Sequence, residues 1–87
     1  MPDDIQQKMY LLSELEKLST RLGIRIRYEH LAEAKSGLCV IKGQSHLIID
    51  LDSELEDKLK IFKDVLSGAE LSNVFLPPVV RKFLSIE

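Results

Sequence analysis

Residues 37–50 read GLCVIKGQSHLIID, and this stretch decides the fold because two apolar runs flank a glycine turn. Side chains of a strand alternate between two faces, and glycine supplies the positive φ that a tight hairpin turn requires. We therefore expect an antiparallel hairpin in which Gly43 and Gln44 form a two-residue turn. This turn sets the pairing of the two strands and places Cys39 opposite Ile48.

The same pairing gives the hairpin two different faces. The first is apolar throughout and is expected to form the core face: Leu38, Val40, Leu47, Ile49 and Leu51. The second is half apolar and half polar: Cys39, Ile41, His46, Ile48 and Asp50. A single layer of helices would leave this second face exposed, so we predict that Cys39, Ile41 and Ile48 contribute to an interface.

A helix and a strand precede the hairpin in this prediction. Leucines recur at helical spacing after Asp3, a candidate N-cap, and continue to Leu22. Gly23 follows, where a residue of left-handed conformation commonly ends a helix. Residues 24–29 alternate apolar and charged side chains, which is typical of a strand with one wet face.

Two helices are predicted after the hairpin. Ser53 and Glu56 have the spacing of a capping box, ahead of a helix that ends at Gly68. The proline pair at residues 77–78 is tolerated in the first turn of a last short helix. We predict a single α+β domain over residues 1–87, of order α-β-β-β-α-α. Its three-stranded sheet is expected to be antiparallel, with the helices packed mainly on one face.

The composition limits the classes of function. Hydrophobic residues make up 45% and charged residues 30% of the chain, as in ordinary globular proteins. Twelve basic and fourteen acidic side chains are scattered along the sequence, so no broad positive field is available for nucleic acid. No apolar run approaches the length of a membrane span, the N-terminal segment lacks the pattern of a secretory signal, and one cysteine cannot form an internal disulfide. We expect a cytoplasmic protein that binds neither nucleic acid nor membrane.

Cys39 and His46 are candidates for a nucleophile and a base, because they share one face of the hairpin. With Ile48 as its expected neighbour, the thiol lacks the cation that would stabilise a thiolate, so packing as a small hydrophobe is the favoured interpretation. A metal site built from His30, Cys39, His46 and Asp50 lacks the usual C-x-x-C or H-x-x-x-H spacing. We predict no catalytic, cofactor-binding or metal-binding residue. A small thiol- or metal-dependent enzyme that uses Cys39, His46 and Asp50 is the alternative.

The preferred function at this point is a non-catalytic interaction or accessory module that forms a homodimer. Arg25 and Arg27 share the wet face of the first strand and are candidates for contact with an acidic partner or an anion. Solvated charges on a strand edge, which discourage aggregation, are the simpler interpretation of the same pair. A further alternative is that residues 75–84, FLPPVVRKFL, dock into a partner rather than into the protein's own core.

Parts of the sequence resemble a group of short uncharacterised bacterial proteins. The shared features are GLC at residues 37–39, KG at residues 42–43, a strand that ends in Asp50, and LPPxVR at residues 76–81. This resemblance bears on the fold and on a cytoplasmic location, and it carries no known activity.

The order of a strand pair followed by a helix is also similar to the N-terminal half of the ImmA/IrrE-like zinc metallopeptidases. In that family the helix bears an H-E-x-x-H motif. Here the matching helix, residues 55–66, reads LEDKLKIFKDVL and contains no histidine. The zinc ligands and the general base of the motif have no counterpart, so the resemblance implies at most a degenerate relative without peptidase activity.

Overall fold

The structure, a computed structural model, describes residues 5–85 and contains three helices and three strands. In chain order these are α1 (Ile5–Arg21), β1 (Arg25–Glu29), β2 (Gly37–Ile41), β3 (Gln44–Asp50), α2 (Leu55–Ser67) and α3 (Pro78–Leu84). The predicted α+β class and the order α-β-β-β-α-α are confirmed. The expected N-cap at Asp3 lies outside the described residues.

The sheet is mixed, so the prediction of a purely antiparallel sheet is wrong. The strand order is β1-β3-β2, and β3 runs antiparallel to β2 but parallel to β1. Residues 30–36 carry the chain across the width of the sheet, and the hairpin then folds β3 back between its two neighbours. This order places the strand that carries the fully buried Leu47 and Ile49 at the centre of the sheet.

The hairpin turn lies one residue earlier than predicted. Lys42 and Gly43 occupy it with φ values of 51° and 79°, and positive φ at both central positions is the requirement of a type I′ turn. Cys39 therefore pairs with His46 and not with Ile48, which corrects the expected register. The register moves by two residues, an even number, so each side chain stays on its predicted face.

The core lies between the three helices and one face of the sheet, as predicted. Its buried apolar side chains come from every helix, from β3 and from the segment before α3: Leu11, Leu15, Leu18, Leu47, Ile49, Leu59, Phe62, Leu66, Leu76, Val80 and Leu84. Because Val80 and Leu84 belong to this cluster, α3 packs on the protein's own core.

Three residues of the predicted core face are exposed instead. Leu38 and Val40 lie on the same side of the sheet as the helices, but they remain 50% and 66% exposed, and Leu51 is 46% exposed. Helix α1 packs on β1, and α2 packs on β3 and β2 without covering the outer edge of β2. Alternation along the strand gave the correct face, but burial depends on where the helix layer ends.

Two of the predicted helix ends have the expected local structure, and a third does not. Gly23 has a φ of 86°, as expected for a residue that follows a helix in the left-handed region, and α3 begins with Pro78 as its first residue. The capping box ahead of α2 does not form. Glu54 takes the N-cap position without a side-chain hydrogen bond, while the Ser53 hydroxyl donates to the carbonyl of Asp50 at 2.7 Å. Within residues 5–85, no helix is long and apolar enough to cross a membrane.

Candidate functional site

The sheet face opposite the helices is open in the described part of the chain. All three strands contribute to it, and none of its residues is buried: Arg25, Arg27, Glu29, Gly37, Cys39, Ile41, Gln44, His46, Ile48 and Asp50. All five residues predicted to form an interface lie on this face. The structure places these residues on one face of the sheet, although the strand pairings differ from those expected.

A row formed by a cysteine, a histidine and an arginine crosses this open face. His46 lies on the central strand, with Cys39 as its partner on β2 and Arg25 as its partner on β1. The thiol of Cys39 is free and half-buried. The Nδ1 atom of His46 is buried and finds no hydrogen-bond partner among the described residues. Cys39 thus has an imidazole as its direct cross-strand neighbour, where the sequence predicted an aliphatic side chain.

Asp50 and His30 do not join this row. Asp50 lies on β3 four residues beyond His46, which corresponds to roughly 13 Å along a strand. Its Oδ1 atom accepts a hydrogen bond from the backbone N–H of Asp52 at 3.0 Å. His30 contacts Asp52 instead, with 2.9 Å between Nδ1 and Oδ2. Among residues 5–85 no group of three His, Cys, Asp or Glu side chains is arranged to hold a metal ion.

The two arginines of β1 lie on the open face, and both are exposed. The Nη2 atom of Arg27 is 2.5 Å from Oε2 of Glu29, so its charge is partly compensated within the strand. Such a solvent-exposed pair contributes roughly 0–1 kcal/mol to stability. Arg25 forms no ion pair within the described residues, and it flanks His46 in the cross-strand row. Arg25 is therefore the cation of this face that is available to an acidic group.

Strand β2 is an exposed apolar edge that the sequence reading did not identify as a site. It contains no charged residue, and Leu38, Val40 and Ile41 are 50%, 66% and 43% exposed. Edge strands of monomeric proteins usually carry charges or proline, because unpaired backbone groups invite another strand to add. The missing charges were a visible signal in the sequence. Alternation of side chains along β2 predicts a core position for Leu38 and Val40, so it gives no sign of an exposed edge.

The backbone of β2 shows which groups are available at this edge. The N–H of Asp50 points toward β2 and donates to the Ser36 hydroxyl at 2.8 Å. On a strand, the backbone N–H and C=O groups of residues two apart point in the same direction. His46, which faces Cys39 and lies four residues before Asp50, therefore also directs its backbone groups toward β2. Cys39 is therefore bonded within the sheet. Its neighbours Leu38 and Val40 direct their N–H and C=O groups outward, at the free edge.

A groove of about 830 Å³ lies beside the other edge strand, between β1 and α1. Its walls combine apolar and charged side chains: Ser13, Glu14, Glu16, Lys17, Thr20, Arg21, Ile26, Tyr28, Phe75 and Pro77. Several of its charged groups have an ion-pair or hydrogen-bond partner at the groove. Lys17 contacts Glu14 at 3.3 Å, and Arg21 donates to the carbonyl of Phe75 at 3.4 Å.

Tyr28 forms part of the floor of this groove and donates a hydrogen bond to the carboxylate of Glu16. Burial of Tyr28, together with this hydrogen bond and the negative charge of Glu16, raises the pKa of the phenol. The phenol is therefore held neutral, as a hydrogen-bond donor. This arrangement links α1 to the sheet and does not generate a base.

No protein-family model matches this chain, and comparison with curated proteins and with solved structures finds no match.

Proposed function

We propose that this domain is a non-catalytic protein-interaction module that self-associates as a homodimer. The observation that carries the proposal is the apolar, uncharged edge of β2. There Leu38, Val40 and Ile41 are exposed, beside backbone groups that no strand within residues 5–85 pairs. An exposed edge of this kind is a template for another strand. From the composition and the resemblance to short bacterial proteins, we place the module in the bacterial cytoplasm.

The open face supplies further surface next to this edge. Cys39 and Ile48 are half-buried there, and Ile41 is shared between the face and the edge. Arg25 and Arg27 lie on the same face along the opposite edge strand, where they would attract acidic groups of a bound protein. The surface thus has an apolar side at β2 and a basic side at β1.

Self-association is the simplest way to cover an exposed apolar edge on a small domain. A chain of 87 residues buries a smaller fraction of its surface than a larger protein does, so its stability is easily supplemented by a second copy. Homodimers with a twofold axis are the commonest oligomers, and they use the same surface twice.

Sedimentation velocity over a range from low to high micromolar protein tests the proposal. We expect the mean mass to rise from that of the 9.9 kDa chain toward twice that value. The rise should persist in high salt, because apolar contacts and backbone hydrogen bonds carry the association. A single species of monomer mass throughout this range would overturn the proposal.

A thiol-dependent enzyme is a second candidate, and the corrected pairing of Cys39 with His46 favours it. Arg25 on the other side of His46 adds a cation to the same row. Cationic and imidazole neighbours are the environment in which cysteines become nucleophiles. Alkylation at pH 7 separates the two functions. Rapid modification of Cys39 that slows strongly in His46→Ala and in Arg25→Gln supports the enzyme, whereas equal rates in all three proteins exclude it.

A further inference from the structure

We infer that the partner in this self-association is a second copy that adds along the free edge of β2, antiparallel, with Cys39 of both copies on the twofold axis. The two three-stranded sheets then form one continuous sheet. This inference rests on the proposed function, and it specifies the interface and its register.

The backbone supports this arrangement. The outward N–H and C=O groups of β2 belong to Leu38 and Val40, which lie one residue before and one residue after Cys39. With Cys39 on the axis, Leu38 of one copy faces Val40 of the other, and each of these pairs exchanges both N–H···O bonds. The arrangement pairs the whole of β2, from Gly37 to Ile41. Moving the axis to Leu38 or Val40 would reduce the number of β2 residues that pair with β2 of the other copy.

The side chains support the same arrangement. Leu38 and Val40 of both copies come together on the helix side of the joined sheet, where each is at least half exposed in the single chain. No charge opposes another along the paired strands, because β2 contains none and the residue opposite Lys42 is Ser36. The other edge strand, β1, is less suited to pair with its own copy. An antiparallel copy centred on β1 would place two Arg27 side chains opposite each other.

The helix layer is compatible with a second copy at this edge. A twofold axis perpendicular to the sheet keeps the helices of both copies on one side and sets the two α2 helices side by side in opposite directions. The part of α2 that borders residues 34–36 carries charges of both signs, from Asp57, Lys60 and Asp64. The approaching helices therefore present mixed charges and no uniform repulsion.

Cys39 provides a direct readout of the register. On the axis it faces its own copy in a pair that is not hydrogen-bonded across the new edge, where the Cα atoms lie about 4.5 Å apart. This separation is within the range that a disulfide spans. A mild oxidant such as diamide, which accepts two electrons and two protons from the two thiols, should therefore join two chains through Cys39.

The first experiment compares cross-linking rates at a concentration where the dimer is populated. The control is the double variant Cys39→Ser/Ile41→Cys, whose thiols would lie at opposite ends of the paired strands. We expect diamide to cross-link the natural chain at least about tenfold faster than this control, because only the Cys39 pair meets the distance requirement. Equal rates would overturn the inferred register, and sedimentation velocity of the control shows whether it still forms the dimer.

The second experiment compares Val40→Lys with Phe75→Lys by sedimentation velocity. Both positions are exposed and apolar, at 66% and 74%, but Phe75 lies in the groove by β1. A charge at Val40 should weaken dimerisation at least about tenfold, because two ammonium groups would enter an apolar contact, whereas Phe75→Lys should leave it unchanged. Circular dichroism of both variants checks the fold.

The outcomes separate the inference from the proposed function. A dimer that resists Val40→Lys and does not cross-link through Cys39 overturns the inference and leaves self-association intact at another surface. A natural chain that stays monomeric at every concentration overturns both.

Discussion

Leu38 on β2 and Leu47 on β3 lie directly opposite each other, yet Leu47 is fully buried whereas Leu38 is half exposed. The helix layer covers the central strand and ends before the outer edge of β2. Two leucines that share one face of the sheet therefore serve different purposes. Leu47 belongs to the folded core, and Leu38 belongs to a surface that a second chain is proposed to cover.

This difference predicts unequal effects of the same substitution. Leu47→Ala should lower the free energy of unfolding by about 2–5 kcal/mol, because it leaves a cavity in the core. Leu38→Ala should cost less than about 1 kcal/mol when urea unfolding is measured at a dilution that keeps the chain monomeric. Equal losses for the two variants would show that the helix layer extends over β2.

The hairpin turn gives a second prediction. Lys42 holds a φ of 51°, which is unfavourable for a long side chain, and Gly43 follows with 79°. Lys42→Asn should raise the free energy of unfolding by roughly 0.5–1 kcal/mol, because Asn-Gly is the preferred pair of a type I′ turn. Gly43→Ala should lower it by about 1–2 kcal/mol. Thermal unfolding of both variants checks the turn. No gain for Lys42→Asn would favour the alternative turn at Gly43 and Gln44.

Tyr28 predicts a loss of stability at high pH. Its pKa is raised above the ordinary value of 10.0 by burial, by the hydrogen bond to Glu16 and by the charge of Glu16. A group whose pKa is higher in the folded state contributes its full stabilisation below the unfolded pKa, and this contribution declines as the pH rises above 10.

The measurement compares urea unfolding at pH 9 and pH 11 for the natural chain and for Tyr28→Phe. The natural chain should lose more stability over this interval than Tyr28→Phe, because Tyr28 ionises on unfolding at pH 11 and phenylalanine cannot. Absorbance titration of the phenolate should also show one late-titrating tyrosine that Tyr28→Phe lacks. The same pH dependence in both proteins would contradict the role assigned to the Tyr28–Glu16 hydrogen bond.

Most elements of the fold were predictable, since their signals are local. Leucine spacing identified α1, proline identified the start of α3, and alternation assigned the faces of the hairpin correctly. The parallel pairing of β1 with β3 was not predictable in this way, because nothing in residues 30–36 indicates which strand of the hairpin β1 will pair with. The observed order puts Leu47 and Ile49 on the central strand, where the helix layer buries them, and this depends on the packing of the whole domain.

The candidate site was predicted in part for the same reason. Cys39, Ile41 and Ile48 were placed on the open face, because a shift of two residues preserves alternation. The predicted cross-strand partner of Cys39 was wrong, because this partner depends on whether Lys42 or Gln44 shares the turn with Gly43. The observed turn places Lys42 at a φ of 51°, a conformation that costs an L-residue roughly 1–2 kcal/mol, and the residues alone did not indicate it.

His30 and Asp52 give a prediction at neutral pH. The hydrogen bond and the negative charge of Asp52 raise the pKa of His30, and the pair joins the end of β1 to the segment before α2. The sign of the effect follows from the raised pKa. The contact is fully present below the ordinary histidine pKa of about 6.5, and it weakens as the pH rises through the pKa of the folded protein.

NMR titration of the imidazole C–H signals measures this directly, because the two histidines of the chain are His30 and His46 and substitution assigns them. In the natural chain His30 should titrate above about 6.5, and in Asp52→Asn its pKa should return toward that value. Glu54→Gln, which removes an exposed carboxylate two residues after Asp52 in the chain, serves as the matched control and should leave the titration of His30 unchanged. Equal shifts in both variants would assign the raised pKa to the general negative charge of this region and not to Asp52.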